Sequence, residues 1–375
     1  MKTILLLGDG KIGGAIAALL ADTGDYRVVV ADRDAAALAR LAPQPRVTTR
    51  VLDAADEAAV TAAAAGLGAF AVVSACPFHL TVGIARAAKA AGAHMLDLTE
   101  DVASTAAVTA LAEGAETAFI PQCGLAPGYI SIAAGDLARR FDELESLRLR
   151  VGALPRYPAN ALKYALTWST AGVINEYCQP CDAIVDGRRV KTHALEGLES
   201  LTLDGVDYEA FNTSGGLGTL CDSLAGKVRD LDYRSIRYPG HRDIMKLLID
   251  DLGLRKRTDL LAQVLEGALP NTDQDVVLVS VSATGRRDGR LTQESLVNRI
   301  HGRRVGDRWV NAIQITTASG LCAVLDLLAQ GHLPGRGLVR QEDIAMSDFL
   351  RNRFGATFRT TDDPIPDSDG LLKVA

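Results

Sequence analysis

The chain has 375 residues, of which 48% are hydrophobic and 23% are charged, enough apolar sequence for two globular domains. A net charge of -6 offers no basic surface for nucleic acid, and no apolar run approaches the roughly 20 residues that span a bilayer. We therefore expect neither a nucleic-acid nor a membrane partner. Six cysteines do not make a disulfide framework, and the first residues predict a strand rather than a secretory signal, so we expect a cytoplasmic protein.

Short apolar runs alternate with alanine-rich helical patterns up to about residue 121. This alternation predicts an α/β domain in which helices cover both faces of a doubly wound parallel sheet of the Rossmann type. The predicted strands are 3–7, 27–31, 47–52, 71–75, 94–98 and 117–121, and the predicted helices include 56–65 and 80–91.

The first predicted strand ends in the sequence GDGKIG, and an apolar helical pattern follows at once. Between a strand and a helix, Gly8 permits the tight turn, Gly10 lets the backbone approach a pyrophosphate, and Gly13 allows close helix–strand packing. The free N–H groups at the helix N-terminus then hold the phosphates, and we include Lys11 and Ile12 in this site. This context predicts a dinucleotide site.

Further cofactor contacts are predicted at the carboxyl ends of the other strands, where ligands bind in open α/β sheets. Asp32, 19 residues after Gly13, can accept both ribose hydroxyls of NAD and would repel a 2′-phosphate. Arg33 can instead stack on adenine or pair with that phosphate, so we predict NAD and do not exclude NADP. Asp53 either meets the adenine edge or caps the next helix. The nicotinamide half is predicted to lie beside Ser74, Ala75, Cys76 and Pro77.

The fifth predicted strand ends in the sequence DLTED, which places three carboxylates within five residues. A solvated acidic loop explains this group as well as a catalytic role does. After the sixth strand, the sequence PQCGLAPGY marks a rigid loop, and a predicted helix over 131–140 follows it.

The periodicity then changes, because Leu147, Leu149 and Val151 alternate with arginines as in half-buried strands. Hairpin turns are predicted at Asp186-Gly187, Asp204-Gly205 and Asp288-Gly289. Residues 126–330 therefore predict a second, α+β domain with a mixed, mostly antiparallel sheet. One face of this sheet needs cover, which predicts a homo-oligomer, a dimer or a tetramer.

The sequence near 331–355 predicts a turn followed by an amphipathic helix, and the polar residues 360–375 predict a frayed end. Cys178 and Cys181 have the spacing of a redox or metal pair. No second pair or nearby histidine accompanies them, so we interpret them as incidental and predict no metal.

Several polar clusters in the second half have little reason to be there for folding. They lie around Trp168, in the sequence FNTSGG that contains Thr213, and in the sequence RYPGH that runs from Arg237 to His241. The planar guanidinium of Arg237 can bind a substrate carboxylate through two hydrogen bonds. The alternative is that Arg237 forms a structural ion pair within the protein.

Together these motifs resemble the saccharopine-dehydrogenase-like oxidoreductases. The resemblance covers the chain to about residue 358, and its second half is most similar to the lysine 6-dehydrogenases of that family. It is carried by the sequences GDGKIG, VVVADRD, SACPFHL, LDLTEDV, CGLAPGYIS, NALKYALTWSTAGVINEY, YEAFNTSGGLGTLCDSL and YRSIRYPGHRDIMKLL.

The resemblance implies a Rossmann domain over 1–125, which a C-terminal helix at about 331–358 rejoins, and a substrate-binding and oligomerisation domain over 126–330. The implied reaction is oxidative deamination of L-lysine at Cε with NAD. Its products are ammonia and 2-aminoadipate 6-semialdehyde, which cyclises to piperideine-6-carboxylate.

Such a reaction needs a base near the ε-amine and charge partners that hold the α-carboxylate and α-amine. With the resemblance as a guide, we assign Asp97 and Glu100 to the amine end and Cys123 to the nicotinamide pocket. The residues assigned to the rest of the substrate are Trp168, Arg237, and Thr213 or His241. No single base is determined.

Two alternatives stay open. A saccharopine dehydrogenase oxidises a secondary amine that joins lysine and glutamate, and its extra carboxylates would need a second cation, for which Lys163 or Arg156 is available. A dinucleotide sensor or scaffold would keep the fold without turnover, although it would have no need for the polar residues assigned above.

Overall fold

The computed structural model describes residues 1–41, 44–306 and 308–360, so the predicted frayed end from residue 361 onward lies outside the described residues. A seven-stranded parallel sheet forms the first half, in the order β17-β6-β5-β4-β1-β2-β3. Its strands are β1 (Lys2–Leu7), β2 (Tyr26–Asp32), β3 (Val47–Val51), β4 (Ala71–Ser74), β5 (His94–Asp97), β6 (Ala118–Ile120) and β17 (Gly337–Leu338). The Rossmann-type α/β prediction is confirmed, and each of the six predicted strands begins and ends within one residue of the observed one.

Both faces of the inner part of this sheet are covered, which explains why its inner strands are apolar, whereas the edge strand β3 is largely exposed. In β1, Ile4 and Leu6 pack into one hydrophobic cluster while Leu5 and Leu7 pack into another on the opposite face. The covering helices are α1 (Lys11–Asp22), α2 (Ala35–Arg40), α3 (Glu57–Leu67), α4 (Thr81–Ala90) and α5 (Val102–Ala112). The next helix, α6 (Tyr129–Ala138), packs instead against strands of the second sheet.

The second sheet has the order β10-β11-β12-β7-β13-β14, with β8 and β9 attached beside β12. Its strands are β7 (Glu143–Pro155), β8 (Cys181–Val185), β9 (Arg188–Thr192), β10 (Glu199–Leu203), β11 (Val206–Asn212), β12 (Val228–Arg237), β13 (Asp275–Arg287) and β14 (Arg290–His301). Strands β12 and β7 are parallel and the other pairs are antiparallel, so the predicted mixed, mostly antiparallel sheet is confirmed.

All three predicted hairpin turns are present, and the Asp and Gly of each turn have positive φ angles. Two positive φ angles are those of a type I′ turn, whose twist matches that of the flanking strands. The remaining helices are α7 (Thr170–Cys178), α8 (Leu220–Ser223), α9 (His241–Lys246), α10 (Thr258–Ala268), α11 (Ala312–Ala329) and α12 (Met346–Arg351). A small hairpin, β15 (Arg303–Val305) and β16 (Arg308–Val310), precedes α11.

Shorter helical turns complete the list of elements. Four are 3₁₀ turns, at Phe78–Leu80, Leu254–Lys256, Gln341–Asp343 and Gly355–Phe358, and one is a π turn at Leu247–Asp251.

Helix α11 was not recognised in the sequence, because it is apolar on all sides and has no amphipathic pattern. It packs against α1 in the first half and against β13 in the second. By length and composition its 18 residues, with a mean hydropathy of 1.6, could cross a membrane, but 83% of them are buried inside the protein, as in a core helix.

The C-terminal segment differs from the single amphipathic helix predicted for it. Strand β17 pairs with β6, and a 3₁₀ turn, the six-residue α12 and a second 3₁₀ turn follow. Gly337 has a φ of 70°, which helical backbone does not allow, and this angle lets the chain turn into the sheet. The division into 1–125, 126–330 and 331–358 stays a prediction, as do the oligomer and the cytoplasmic location.

The arginines of β7 also differ from the simple polar face that the alternation predicts. Arg148 is exposed, whereas Arg150 is buried and pairs with Glu199 on β10 and Asp232 on β12. The alternation locates the strand correctly, but only the pairing of strands distant in the sequence brings these two carboxylates to Arg150.

Asp326 on α11 holds the C-terminal segment through buried hydrogen bonds, and its substitution tests how much they stabilise the fold. Its buried carboxylate accepts hydrogen bonds from the Tyr26 hydroxyl, the Asn352 amide and the Arg353 guanidinium. We expect Asp326→Asn to lower the free energy of unfolding by about 1.5–3 kcal/mol, because the buried side chain loses its charge-assisted hydrogen bonds. Urea denaturation measures this change.

Asp25 provides a matched control, since it binds the same guanidinium of Arg353 at 2.6 Å but its side chain is 61% exposed. Asp25→Asn should cost only about 0–1 kcal/mol. Equal losses in the two variants would contradict the importance assigned to burial.

Candidate active site

The glycine loop at the carboxyl end of β1 leaves room for a dinucleotide. A Cβ atom on Gly8 would come within 2.8 Å of the Ala75 carbonyl oxygen, and one on Gly13 would come within 1.9 Å of the Gly8 oxygen. A Cβ on Gly10 would have no atom of the described residues within 4 Å, so the space beside Gly10 is open. No side chain caps α1, so its first N–H groups remain available to phosphate. These residues fit the pyrophosphate of a dinucleotide.

Asp32 is held in place at the end of β2, beside this loop. Its carboxylate accepts hydrogen bonds from the backbone N–H groups of Asp9 and Asp34, both at 2.9 Å, and Arg33 is exposed. Asp53 accepts the N–H of Ala55 at 2.9 Å. The predicted alternative role of Asp53, capping the next helix, belongs instead to Asp56, which caps α3.

A cavity of about 390 Å³ opens between the two sheets, next to the glycine loop. Apolar side chains and backbone form much of its wall. It brings together nine of the residues predicted from the sequence, namely Gly10, Lys11, Ile12, Ala75, Cys76, Pro77, Glu100, Trp168 and Arg237. Ser74, at the end of β4, is buried and lies just outside the wall.

Glu100 reaches the cavity from the loop after β5, and the second half of the chain packs tightly against it. A Cβ on Gly215 would come within 2.2 Å of the Glu100 carbonyl oxygen. Burial raises the pKa of Glu100 to about 7. Asp97 lies behind the wall, where one carboxylate oxygen accepts the N–H groups of Thr99 and Gln122 and the other has no partner. Burial raises the pKa of Asp97 to about 6.

Arg237 at the end of β12 is 3% exposed and forms part of the opposite wall. It donates from Nε to the Tyr177 hydroxyl at 2.9 Å and from Nη1 to the Ile236 carbonyl at 2.8 Å. Its guanidinium also lies 5.0 Å from the centre of the Tyr164 ring. Among the described residues no carboxylate lies within 4.0 Å of it, so the alternative of a structural ion pair does not apply. A ligand carboxylate can therefore bind there.

Trp168 forms another part of the wall. Its indole Nε1 donates to the Tyr164 hydroxyl at 3.1 Å. The ring lies so close to α7 that a Cβ on Gly172 would come within 2.4 Å of it. Glycine at this position therefore allows the indole to lie flat against the helix beside the cavity.

Glu176 on α7 was not assigned a role from the sequence, although it lies in the sequence NALKYALTWSTAGVINEY, which contributes to the family resemblance. It is 7% exposed and lines the cavity. Burial raises its pKa to about 8, and the positive charge of Arg237 opposes that rise. Its position in the helical pattern could have predicted that it is buried, since α7 buries Val173, Ile174 and Tyr177 on the same side as this glutamate.

Besides Asp97, three more predicted residues lie behind the wall rather than in it. Cys123 is 1% exposed, and its sulfur accepts a hydrogen bond from Gln341. Thr213 pairs with the Ser235 hydroxyl at 2.8 Å. His241 lies between the Tyr177 hydroxyl at 3.0 Å and the Leu162 carbonyl at 2.9 Å, and burial lowers its pKa to about 3. Neighbouring elements cover these three side chains, so they can contact the residues of the wall but not a ligand in the cavity.

All six cysteines are free thiols, and burial raises the pKa of both Cys178 and Cys181. Within the described parts of the chain, no group of three or more His, Cys, Asp or Glu residues could hold a metal ion. That the two cysteines are incidental and that the protein needs no metal stay predictions.

Two family models match almost the whole chain. Residues 4–120 match the saccharopine dehydrogenase NADP binding domain, and residues 124–354 match the saccharopine dehydrogenase C-terminal domain. The chain belongs to the saccharopine dehydrogenase family. It is a dehydrogenase that uses a nicotinamide dinucleotide, either NAD or NADP.

Solved structures agree with this assignment at the level of the fold. Apo saccharopine dehydrogenase (L-Glu forming) from Saccharomyces cerevisiae is 17% identical, with a TM-score of 0.74 over 93% of this chain and 97% of that one. A DAP dehydrogenase of C. glutamicum is 12% identical over 92% and 95% of the two chains. A myo-inositol dehydrogenase of Corynebacterium glutamicum is 15% identical over 90% of each. The latter two have TM-scores of 0.46, too low to support further argument.

The choice between the two cofactors depends on Asp32. We expect kcat/KM for NAD to exceed that for NADP by at least about tenfold, or ~1.4 kcal/mol, because a carboxylate at this strand end opposes a 2′-phosphate. Asp32→Ser keeps an acceptor for the Asp9 N–H and should reduce the preference. Steady-state kinetics with both cofactors measure it.

Asp22 at the other end of α1 is an exposed acid and provides the control, since Asp22→Ser should leave the preference unchanged. A parent enzyme that prefers NADP would mean that Arg33 dominates at this strand end.

Proposed function

We propose that the protein catalyses NAD-dependent oxidative deamination of L-lysine at Cε. The products are ammonia and 2-aminoadipate 6-semialdehyde, which cyclises to piperideine-6-carboxylate. The observation that carries the proposal is the set of ionisable groups in the cavity, where Glu100 and Glu176 present two carboxyl groups and Arg237 one guanidinium, with Lys11 beside them at the glycine loop. Lysine carries two amino groups and one carboxylate, which is the complementary set.

The position of these groups favours one orientation of lysine. Glu100 lies on the same side of the cavity as Ala75 and Pro77, where the nicotinamide half is predicted, so it suits the reacting amine. Arg237 comes from β12 in the second sheet and suits the α-carboxylate. Such remote contacts hold the substrate in register for the reaction.

A bound nicotinamide dinucleotide would supply the acceptor for the hydride that leaves Cε. The ε-ammonium must first lose a proton, and Glu100 can accept it because its pKa, raised to about 7, matches a general base near neutral pH. The imine that forms on the substrate is hydrolysed by water, which the same carboxyl group can activate. Phe78, Leu98 and Trp168 make the surrounding wall apolar and limit competing water.

The family models are named for saccharopine, so a secondary amine of lysine and glutamate is the second candidate. The two cations considered for it do not line the cavity, since Lys163 donates to the Pro239 carbonyl at an exposed site and Arg156 is exposed. Of the described lining residues, only Lys11 and Arg237 are cationic. Extra carboxylates would meet Glu100 and Glu176, which favours lysine.

NADH absorbance with lysine, with saccharopine and with neither distinguishes these candidates from a scaffold without turnover. We expect lysine alone to reduce NAD. Turnover of saccharopine with none of lysine would replace the proposal by the second candidate, and no turnover of either would contradict both.

The raised pKa of Glu100 makes the reaction dependent on pH. Below pH 7 its carboxyl group is protonated and cannot accept the substrate proton, so kcat/KM for lysine should rise with pH through about 7. Glu100→Gln should lower kcat/KM by about 10²–10⁴-fold and remove this inflection. The exposed Glu113 is the control, because Glu113→Gln should leave the profile unchanged. An unchanged inflection in Glu100→Gln would assign it to another group.

Arg237 tests the position of the substrate carboxylate. Loss of a charge-assisted partner costs about 1.5–3 kcal/mol, so Arg237→Ala should lower kcat/KM for lysine roughly ten- to a hundredfold, mainly through KM. KM for NAD should change little. Cadaverine, which lacks the carboxylate, should lose much less in the same variant.

Lys163→Ala is the matched control, since it removes a cation of the same half of the chain that lies outside the cavity, and its kinetics should resemble those of the parent. If Arg237→Ala binds NADH normally and keeps the full preference for lysine over cadaverine, the carboxylate binds elsewhere.

A further inference from the structure

Glu176 is a buried carboxyl group that the fold itself does not pair. Among the described residues, its side chain accepts no hydrogen bond and lies within 4.0 Å of no cationic nitrogen. Buried carboxylates are rarely left without a partner, because losing water is costly unless hydrogen bonds or an opposite charge replace it. A buried, unpaired carboxyl in a cavity wall is therefore a candidate for binding a ligand cation.

The neighbourhood of Glu176 determines which part of a ligand it meets. The next residue on α7, Tyr177, accepts the hydrogen bond from Arg237 Nε at 2.9 Å. This bond ties α7 to β12 and so fixes Glu176 relative to Arg237. Both residues line the cavity and interact electrostatically, yet they form no ion pair within 4.0 Å. A carboxyl group and a guanidinium held more than 4.0 Å apart match the ammonium and carboxylate of an α-amino acid, because a bound ammonium favours the ionised form of Glu176.

Glu100 occupies a different position. It follows β5 and belongs to the same side of the cavity as Pro77, whereas Glu176 belongs to the helix that supports Arg237. The two carboxyl groups come from different parts of the fold and line one cavity, and burial, together with the charge of Glu100, raises the pKa of Glu176. Such a pair can bind two amino groups of one substrate.

We propose that Glu176 binds the α-ammonium group of the substrate and, with Arg237, forms the part of the site that recognises an α-amino acid. This inference rests on the proposed function and extends it, because it names the group of lysine that distinguishes it from a simple ω-amino acid. Glu176 is then a determinant of specificity rather than the base for the reacting amine.

The test compares L-lysine with 6-aminohexanoate, which keeps the carboxylate and the reacting amine but lacks the α-amine. The parent should prefer lysine by about ten- to a hundredfold in kcat/KM, as expected for a charge-assisted hydrogen bond. In Glu176→Gln this preference should fall to within about threefold, because the lysine rate drops while the 6-aminohexanoate rate stays close to that of the parent.

Inhibition provides a readout that does not depend on the reaction. L-norleucine and hexanoate differ by the same α-amine and carry no reacting amine. Norleucine should inhibit the parent more strongly than hexanoate does, and Glu176→Gln should remove that difference. The control is Glu196→Gln, which removes an exposed glutamate of the second half that pairs with Lys246. Its preferences should equal those of the parent.

Each result has a separate meaning. If the parent oxidises lysine and Glu176→Gln keeps the full preference for it, the inference is overturned while the proposed function stands. Equal loss of kcat with both substrates would make Glu176 the base and also overturn it. A parent that oxidises neither substrate overturns the proposed function and this inference together.

NADH binding and thermal denaturation establish that the variant is folded. Should Glu176→Gln fail to bind NADH, Glu176→Asp replaces it, because the aspartate keeps the charge but withdraws it by one methylene. We then expect the preference for lysine to fall by at least about fivefold, within the range for a weakened charge-assisted bond. An unchanged preference in that variant overturns the inference.

Discussion

The buried charge of Arg237 is the constraint on which the rest of the site depends. A guanidinium at 3% exposure has lost its water, and the protein must replace that hydration with hydrogen bonds and dipoles. Part of the lost hydration is replaced by the Tyr177 hydroxyl, the Ile236 carbonyl and the Tyr164 ring. His241 in turn holds Tyr177, which explains why a buried histidine outside the cavity still matters to the site. The described residues provide no carboxylate within 4.0 Å of Arg237, and a ligand carboxylate would supply the missing opposite charge.

The cavity exists because the two sheets approach each other through a few close contacts. Gly215 packs directly against the Glu100 carbonyl, so any larger residue at 215 would push the two sides apart. Lys11, at the start of α1, reaches across to donate to the Leu166 carbonyl and the Asn271 side chain. These contacts set the distance between the nicotinamide side and the Arg237 side. The resulting volume of about 390 Å³ lies in the range of small-molecule sites.

The parallel sheet could be predicted almost to the residue, because its inner strands are apolar on both faces and each strand ends at a turn or a helix start. The Asp-Gly hairpins could be predicted equally well. A type I′ turn needs positive φ angles at two adjacent residues, and Asp-Gly tolerates them. Helix α11 was not recognised, because a helix buried on all sides has no polar face to reveal its period. The C-terminal segment has an amphipathic pattern, yet the unpaired edge of β6 takes part of it as a strand.

The sequence by itself determined the parallel fold and the position of the dinucleotide loop. Gly13 is constrained by the Gly8 carbonyl five residues before it, and Gly8 by Ala75 at the end of the adjacent strand β4. Both contacts belong to the strand–turn–helix unit and the parallel sheet that the sequence predicts. Only the tertiary structure decided which polar residues share one cavity. It joins Glu176 to Glu100 and Arg237 and leaves Cys123, Thr213 and His241 behind the wall. Residue type cannot distinguish these outcomes, because burial and mutual distance depend on the packing of elements that lie far apart in the chain.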